Sequence, residues 1–388
     1  MMIPQRDSFL IFGAPRIEQE EIDEVVRVLQ SGWIGTGPRV AAFEEAFAAY
    51  KQMPYAAAVS SCTAALHLSM LACKLGPGAE VLVPAMTFCA TANAVIHAGA
   101  RPVAVDVDPA SMNMDPEDAR RKITKKTRAM IPVHFAGRAC AMDALVALAQ
   151  EHHLRVVEDC AHAIETEYHG RKAGTMGDFG CFSFYVTKNV VTGEGGMILT
   201  RDASKIERIK ILGLHGMTKD AWKRFSDEGF KHYRVVECGF KDNMTDMQAA
   251  LGLHQLKRVE AWWKQRQRIW NRYQEAFREL PLGLPAEPEP GTKHAHHLYT
   301  ILVDEKRAGL SRDRFIDELT RRKIGVGVHY LSLTDHPYYQ ETLGWSEKTA
   351  PAATQIGHQT VSLPISAKLS EQDVEDVIVA VKDVLACA

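Results

Sequence analysis

Short apolar runs alternate with amphipathic stretches of helix length along the first two-thirds of the chain. The runs are five or six residues long and rich in branched side chains, which is typical of strands buried on both faces of a sheet. Between them, apolar residues such as Ala65, Leu68 and Ala72 recur at helical spacing. The predicted strands span residues 80–84, 102–107, 129–134, 154–159, 181–185 and 196–200. This alternation predicts an α/β fold with a largely parallel sheet, which binds ligands at the carboxyl ends of its strands.

The pattern changes after about residue 245. A helix is predicted from Thr245 to about Leu280, and the next ten residues, 281–290, hold four prolines that a helix cannot cross. Further on, the pattern predicts a strand over 297–303 and helices over 311–322 and 370–386. We therefore expect a large α/β domain with an N-terminal arm, residues 1–245. The long helix then links it to a smaller α+β domain, and together these form residues 246–388.

The composition excludes several protein classes but indicates no function. The 388 residues carry 46 Lys and Arg against 48 Asp and Glu, a net charge of -2, which argues against a nucleic acid as partner. No apolar run reaches the roughly 20 residues of a membrane helix. Pro4, Arg6 and Asp7 stand where a signal peptide needs an apolar core. The eight cysteines include no C-x-x-C pair, so we expect buried thiols in a reducing cytoplasm rather than disulfides.

Two polar clusters could indicate other ligands. His294, His296 and His297 are the main candidates for metal ligands, but a polar edge leading into the next strand is the favoured interpretation, and no metal is predicted. The basic run over residues 120–126 lies between a predicted helix and a predicted strand, so we interpret it as a solvated turn rather than a nucleic-acid site.

A lysine follows directly on an aromatic strand. Residues 182–185 lead into Lys188, and a glycine-rich turn over 193–196 leads into the next strand. Burial at such a strand end lowers the pKa of a lysine, which makes its amine nucleophilic and able to form a Schiff base. On this segment alone, a surface lysine remains the alternative.

Two further segments favour a cofactor with a pyridine ring and a phosphate. Asp159 ends a predicted strand 29 residues before Lys188, and a carboxylate there could keep a pyridine nitrogen protonated or cap a helix. Residues 60–65 open a predicted helix whose amides could bind an anion or form an ordinary N-cap. His162 and Phe88 could contact the ring or be structural. In this order the features match a fold-type I pyridoxal phosphate (PLP) enzyme.

The chain resembles the DegT/DnrJ/EryC1/StrS family of sugar aminotransferases nearly from end to end. The matching segments are residues 31–38, 61–68, 83–88, 131–134, 158–163, 182–197, 239–250, 325–330 and 362–364. Their number, order and spacing make the resemblance specific. It implies the aspartate aminotransferase-like fold of the PLP-dependent transferases, with a large mostly parallel sheet domain and a smaller α+β C-terminal domain.

The resemblance also implies a role for individual residues. Lys188 would bind PLP as a Schiff base and then move a proton between the amino donor and the cofactor. The other residues implied for the cofactor are Thr63, Ala64 and Ser183 at its phosphate, Phe88 over its ring, His162 near its oxygen and Asp159 at its pyridine nitrogen.

The family implies a homodimer in which the segment around Gly239 reaches the neighbour's cofactor. Many members have asparagine where this chain has Lys241, so Lys241 and Asn243 are both candidates for that contact. In the family, the amino acceptor is a nucleotide-linked keto sugar and the donor is usually glutamate. Matching motifs place Trp33, His329 and Tyr330 at the sugar side.

Residues 214–217, 220–222 and 338–339 look most like members that aminate C4 of a UDP-linked keto sugar. Two alternatives keep the fold. A dehydratase of the family has histidine in place of the lysine, and Lys188 argues against it. A PLP-binding regulatory or sensor protein is the other alternative. A dehydrogenase is excluded because no G-x-G-x-x-G follows a strand.

Overall fold

The computed structural model describes residues 6–218 and 233–387, and a seven-stranded sheet lies at its centre. The strands are β1 (Tyr55–Val59), β2 (Glu80–Pro84), β3 (Arg101–Val105), β4 (Thr127–Met130), β5 (Arg155–Asp159), β6 (Glu167–Tyr168), β7 (Arg171–Lys172), β8 (Phe179–Ser183), β9 (Gly196–Thr200), β10 (Thr292–Lys293), β11 (Tyr299–Leu302) and β12 (Thr360–Leu363). The central sheet has the order β1-β9-β8-β5-β4-β2-β3. All its pairings are parallel except those of β9, which is antiparallel to both neighbours.

Helices cover the sheet and build the rest of the molecule. They are α1 (Gln19–Ser31), α2 (Pro38–Lys51), α3 (Cys62–Cys73), α4 (Cys89–His97), α5 (Pro116–Lys122), α6 (Met142–Glu151), α7 (Ala203–Leu212), α8 (Asp246–Phe277), α9 (Glu305–Ala308), α10 (Arg312–Arg321), α11 (Pro337–Leu343), α12 (Pro351–Gln359) and α13 (Glu371–Ala386). The α/β fold with a largely parallel sheet, expected from the alternation of strands and helices, is confirmed.

The short strands β6, β7 and β10 and the strand β12 were not predicted, and two strands of the central sheet also differ from the expectation. β1 was not predicted, because its sequence Tyr-Ala-Ala-Ala-Val has few of the branched residues that mark a buried strand. β4 ends at Met130 rather than continuing to His134. Pro132 has no backbone N–H for a sheet hydrogen bond. Only a single bridge, from Val133 to Asp159, extends the pairing beyond it.

The long helix α8 begins and ends close to its predicted bounds. Thr245 caps it, and Gln248 completes a capping box by bonding back to the Thr245 N–H. Its first half packs on α1 and α2, whereas side chains from Ile269 onward belong to a second apolar core with β11, β12, α10 and α13. Leu10 lies in this second core, although the predicted division at residue 245 groups the N-terminal arm with the large domain. That division remains a prediction.

Three further expectations, on the cysteines, on a histidine cluster and on membrane-spanning helices, can be compared with the structure. The eight cysteines were expected to be buried, but three are buried, Cys62, Cys73 and Cys89 are half-buried, and Cys238 and Cys387 are exposed. The two exposed cysteines lie outside an apolar strand or the inner face of a helix. His294, His296 and His297 are indeed at the approach to β11, where they are buried. In residues 6–218 and 233–387, no helix combines the length and apolarity needed to cross a membrane.

Candidate active site

The carboxyl ends of the parallel strands bring the predicted residues together. β1 ends at Val59 and leads into Ser61, which caps α3. β5 ends on Asp159, and β8 ends on Ser183. Because these strands run in the same direction, their ends meet at one edge of the sheet, where α/β proteins bind ligands.

The start of α3 forms a turn of the kind that binds anions. The Ser61 Oγ accepts a hydrogen bond from the Ala64 N–H at 3.1 Å. The Ala64 amide is therefore already engaged by the cap. Ser183 pairs with Gly196 in the sheet, so its buried side chain lies close to this turn. Helix amides and a nearby hydroxyl are a suitable site for a phosphate.

Gly196 allows β9 to approach this turn. A Cβ at Gly196 would lie 2.5 Å from the Ser61 carbonyl carbon and oxygen and 2.8 Å from the Cys62 nitrogen. We expect Gly196→Ala to lower the free energy of unfolding by about 1–3 kcal/mol through overpacking. Gly35→Ala is the control, because a Cβ there meets nothing within 4 Å. Urea unfolding of the two cofactor-free variants measures their free energies of unfolding. Equal stabilities would contradict the close approach of β9 to the turn at Ser61.

Asp159 is a buried carboxylate without a cationic partner. It is 4% exposed, and its oxygens accept hydrogen bonds from the Thr91 hydroxyl at 2.9 Å and the Ala161 N–H at 3.1 Å. Burial raises the pKa of Asp159 above its ordinary value. No side chain in the described part of the chain forms an ion pair with it. A protonated ring nitrogen would supply the missing positive charge, so Asp159 fits the role implied for it.

Glu158, the residue before Asp159 on β5, links this strand end to neighbouring segments. Its fully buried carboxylate accepts hydrogen bonds from the backbone N–H groups of Gly174, Met176 and Gly177 and from His134 Nε2. His134, Glu158 and Cys160 are close enough to resemble a metal site within the described residues. Since backbone donors and His134 already satisfy both carboxylate oxygens, this group is a structural hydrogen-bond centre.

Lys188 follows β8 by five residues and is partly accessible. Burial lowers its pKa to about 8, against the opposing effects of Cys62 and Asp159. Among residues 6–218 and 233–387, no carboxylate lies within ion-pair distance of its Nζ. Lys188 therefore has the properties of a nucleophilic amine rather than of a surface lysine.

His162 and Tyr330 form a pair next to Lys188. The His162 Nδ1 accepts the Ala136 N–H at 3.2 Å, so its Nε2 carries the hydrogen and donates to the Tyr330 hydroxyl at 3.1 Å. Burial and then the charge of Lys188 hold the pKa of His162 well below its ordinary range. The ring of Phe88 is 57% exposed and lies 6.0 Å from that of Tyr330. An exposed ring here is available for stacking on a planar ligand.

His329 joins this group from the C-terminal part of the chain. Its Nδ1 lies 2.9 Å from the Ser362 hydroxyl on β12. Burial and then the charge of Lys188 lower its pKa to about 4, so the imidazole is neutral at pH 7. The C-terminal segments thus close the site over the sheet edge.

Trp33 and Asn243 lie in a different cavity. It has a volume of about 380 Å³, and its walls include Thr36 and Asp242 but not Lys188 or Tyr330. Asn243 Nδ2 donates to the Thr36 hydroxyl at 2.6 Å, and Lys241 Nζ donates to Asn243 Oδ1. The Trp33 indole donates to the Thr36 carbonyl at 3.0 Å. Lys188 does not line this cavity, but Asn243 bridges Val59 at the end of β1, and the Ser60 N–H donates to the Asp242 carbonyl at 2.6 Å, so this segment borders the turn that opens α3.

A comparison with protein families decides which kind of protein this is. Residues 15–382 match the model of the DegT/DnrJ/EryC1/StrS aminotransferase family. The chain belongs to this family. The predicted aminotransferase, its fold type and its PLP cofactor are thereby confirmed.

Relatives extend over the whole chain. The spore coat polysaccharide biosynthesis protein SpsC of Bacillus subtilis is 47% identical over 386 residues, 99% of each chain. Spr1654 of Streptococcus pneumoniae, solved in PLP and PMP forms, is 33% identical with a TM-score of 0.90, and the PLP form covers 98% of this chain and 99% of its own. Helicobacter pylori PseC, an aminotransferase involved in pseudoaminic acid biosynthesis, is 26% identical with a TM-score of 0.90 over 98% of this chain and 100% of its own. This member of the family is a sugar aminotransferase.

Several residues of the site were not predicted from the sequence. Thr91 bonds to Asp159, Asn189 follows Lys188, and His297 lies with its ring 4.5 Å from that of His162. The only signal for Asn189 was its position next to the lysine. Residues 220–222, which suggested a C4-aminating relative, lie outside the described residues.

Proposed function

We propose that this aminotransferase transfers an amino group from L-glutamate to a nucleotide-linked keto sugar, specifically a 4-keto sugar carrying UDP or dTDP. The observation that supports it is the combination of two unpaired groups in one site, the Lys188 amine and the buried Asp159 carboxylate. The likeness of the whole chain to SpsC and PseC supports a sugar rather than an amino-acid skeleton as acceptor.

The cofactor would be held by the residues at the sheet edge. The α3 N-terminus with Thr63, Ala64 and Ser183 would bind its phosphate, which would replace the Ser61 hydroxyl as the acceptor of the Ala64 N–H. Asp159 would face its ring nitrogen. Phe88 would cover the ring, and His162, hydrogen-bonded to Tyr330, would lie near its oxygen. When bound, PLP supplies an electron sink for the substrate carbon.

Lys188 would then move the protons. With a pKa near 8, a useful fraction of Lys188 is free amine near neutral pH. It accepts the proton from the α-carbon of glutamate in the first half-reaction. In the second half-reaction it delivers a proton to the former carbonyl carbon of the sugar. Neutral His329 and the Tyr330 hydroxyl are suited to hydrogen-bond sugar oxygens without pairing with a carboxylate.

We propose a homodimer with shared active sites. Exposed apolar side chains occur on α1, in the segment that follows it and in the segment before α8, and exposed apolar surface is typical of an interface. They include Ile22, Val26, Leu29, Trp33, Ile34, Val235, Val236 and Phe240. Trp33, Lys241 and Asn243 would act on the neighbour's cofactor and sugar from this surface.

Asp159→Asn is expected to weaken cofactor binding strongly. It removes the negative charge that faces the ring nitrogen, and a hydrogen bond to a charged group contributes about 1.5–3 kcal/mol, which corresponds to a loss of roughly 10- to 150-fold in PLP affinity. Fluorescence titration of the cofactor-free protein with PLP measures the affinity. Asp143→Asn is the control, because Asp143 is exposed at the surface. Unchanged affinity in the Asp159 variant would remove this residue from the cofactor site.

The substrate is tested with keto sugars generated in situ. The purified enzyme receives PLP, L-glutamate and UDP- or dTDP-4-keto sugar made by a 4,6-dehydratase, and mass spectrometry follows the amino sugar. There are two controls. One is the same keto sugar without its nucleotide, and the other is D-glutamate in place of L-glutamate. We expect product only with the nucleotide-linked sugar and the L-donor. Equal turnover of the free keto sugar, or amination of a 3-keto sugar alone, would contradict the proposal.

A further inference from the structure

Two buried threonines form a chain of hydrogen bonds that ends on Asp159. The Thr91 hydroxyl, in the first turn of α4, donates to Asp159 Oδ2 at 2.9 Å. The Thr87 hydroxyl lies 2.8 Å from the Thr91 hydroxyl. Thr87 and Thr91 are 2% and 1% exposed, so water does not compete for these contacts. A short segment of the chain thus reaches the carboxylate through two hydroxyl groups.

The direction of both hydrogen bonds follows from the groups involved. A carboxylate only accepts hydrogen bonds, and the Thr91 hydroxyl has a single hydrogen, which therefore points to Asp159. Thr91 can then only accept from Thr87, so the Thr87 hydrogen points to Thr91. Within residues 6–218 and 233–387, neither hydroxyl forms a further hydrogen bond. Both O–H dipoles are therefore aimed at the carboxylate, and the bond between the hydroxyls strengthens the bond to Asp159.

The other contacts of Asp159 leave its side chain little freedom. Its backbone N–H donates to the Pro132 carbonyl at 2.9 Å, and its carbonyl accepts the His134 N–H at 3.1 Å. Oδ1 accepts the Ala161 N–H at 3.1 Å, so Thr91 holds the oxygen that the backbone does not. Each oxygen keeps a second lone pair. The carboxylate is thus held at both oxygens and can still accept a hydrogen from a ligand.

The same segment carries the exposed ring of Phe88. Phe88 lies between the two threonines in sequence and precedes the first residue of α4, and its carbonyl accepts the Thr91 N–H at 3.1 Å. Thr91 is therefore bonded through its side chain to Asp159 and through its backbone to Phe88. These two bonds link the carboxylate to the aromatic ring, the two groups proposed to contact the cofactor ring.

We propose that Thr91, supported by Thr87, is a positioning residue that keeps the Asp159 carboxylate ionised and turned toward the ring nitrogen of the cofactor. The inference rests on the role proposed for Asp159 at that nitrogen. Burial favours a neutral carboxylic acid, whereas hydrogen-bond donors favour the carboxylate. Without the Thr91 hydroxyl, the Ala161 N–H is the one donor left to Asp159 within the described residues. The proton needed on the ring nitrogen would then be shared with Asp159, which would weaken the ring as an electron sink.

Fluorescence titration of the cofactor-free protein with PLP tests the inference. Thr91→Val replaces the hydroxyl by a methyl group and is expected to lower the PLP affinity by about tenfold, because a hydrogen bond to a charged group is lost. Thr91→Ser retains the hydroxyl and should stay within about twofold of the wild type. Thr87→Val keeps the Thr91 donor but removes its support, so we expect a loss of about two- to threefold.

Thr354→Val is the matched control. Thr354 is buried, and its hydroxyl lies 2.9 Å from that of Thr334, so the variant breaks a hydroxyl pair of the same kind that does not contact Asp159. Its PLP affinity should equal that of the wild type.

A double variant shows whether Thr91 acts through Asp159. In the Asp159→Asn background, Thr91→Val should lower the PLP affinity by less than about threefold, because the charge that Thr91 stabilises is already gone. In the holoenzyme at saturating PLP, Thr91→Val should lower kcat and leave KM for glutamate nearly unchanged, since the change affects the cofactor ring rather than the donor.

Wild-type affinity in Thr91→Val would overturn the inference, as would an equal loss in Thr354→Val or full additivity with Asp159→Asn. If Thr91→Val does not fold, Thr87→Val decides, and wild-type affinity there would overturn it. A loss in Asp159→Asn without one in Thr91→Val would contradict this inference alone. Unchanged affinity in both would also remove Asp159 from the proposed cofactor site.

Discussion

Replacing Lys188 by alanine is expected to reduce transamination by roughly 10⁴-fold or more, because it removes both the nucleophile and the proton carrier. The yellow colour of lysine-bound cofactor should disappear as well. Lys188→Arg should be equally inactive, since a guanidinium stays protonated at any working pH. The measurements are the visible spectrum after reconstitution with PLP and the rate of amino-sugar formation.

Lys264→Ala is the control for this experiment, because Lys264 is exposed on α8. It should keep the colour, and glutamate should bleach it as in the wild type. An alanine variant at position 188 that keeps both colour and turnover would show that another amine carries the chemistry.

Glu158→Ala is expected to give the largest loss of stability, about 3–5 kcal/mol. It leaves three backbone N–H groups and His134 without their buried acceptor, and each unsatisfied group carries a desolvation cost. Urea unfolding of the cofactor-free protein measures the loss. Glu151→Ala, a substitution on the surface, should change the free energy of unfolding by less than about 0.5 kcal/mol. A Glu158 variant as stable as this control would contradict the proposed hydrogen-bond centre.

The buried carboxylate of Glu158 should also make the stability of the protein depend on pH. Burial alone would raise the pKa of Glu158, but the hydrogen bonds from His134, Gly174 and Gly177 outweigh it and lower the pKa below 4.5. A group whose pKa falls on folding stabilises the native state above its unfolded pKa, and this stabilisation is lost as the pH falls through the folded value. The stability difference between wild type and Glu158→Gln should therefore be largest above pH 4.5 and shrink below it.

Most strands of the central sheet could be predicted from the sequence, but fewer of the residues of the active site could be. Strands with branched residues were predicted within a few positions, whereas the alanine-rich β1 lacked the signal. Lys188 and Asp159 stood out because each ends or follows a buried strand. Asn189 and His297 did not, since their contact joins positions 108 residues apart and only the folded chain brings them together. The separate position of Trp33 likewise depends on tertiary packing.

The helix α8 also constrains how this chain can change in length. Arg266, whose guanidinium pairs with the buried Glu165, lies about two-thirds of the way along the 32 helical residues, which are anchored at Thr245 and end in the second apolar core. Each residue advances the helix by about 1.5 Å and turns it by about 100°. A single insertion before Arg266 would therefore swing its guanidinium away from Glu165, and a deletion would do so in the other direction. Insertions of about seven residues, two full turns, are the smallest that would return the side chain to the same azimuth.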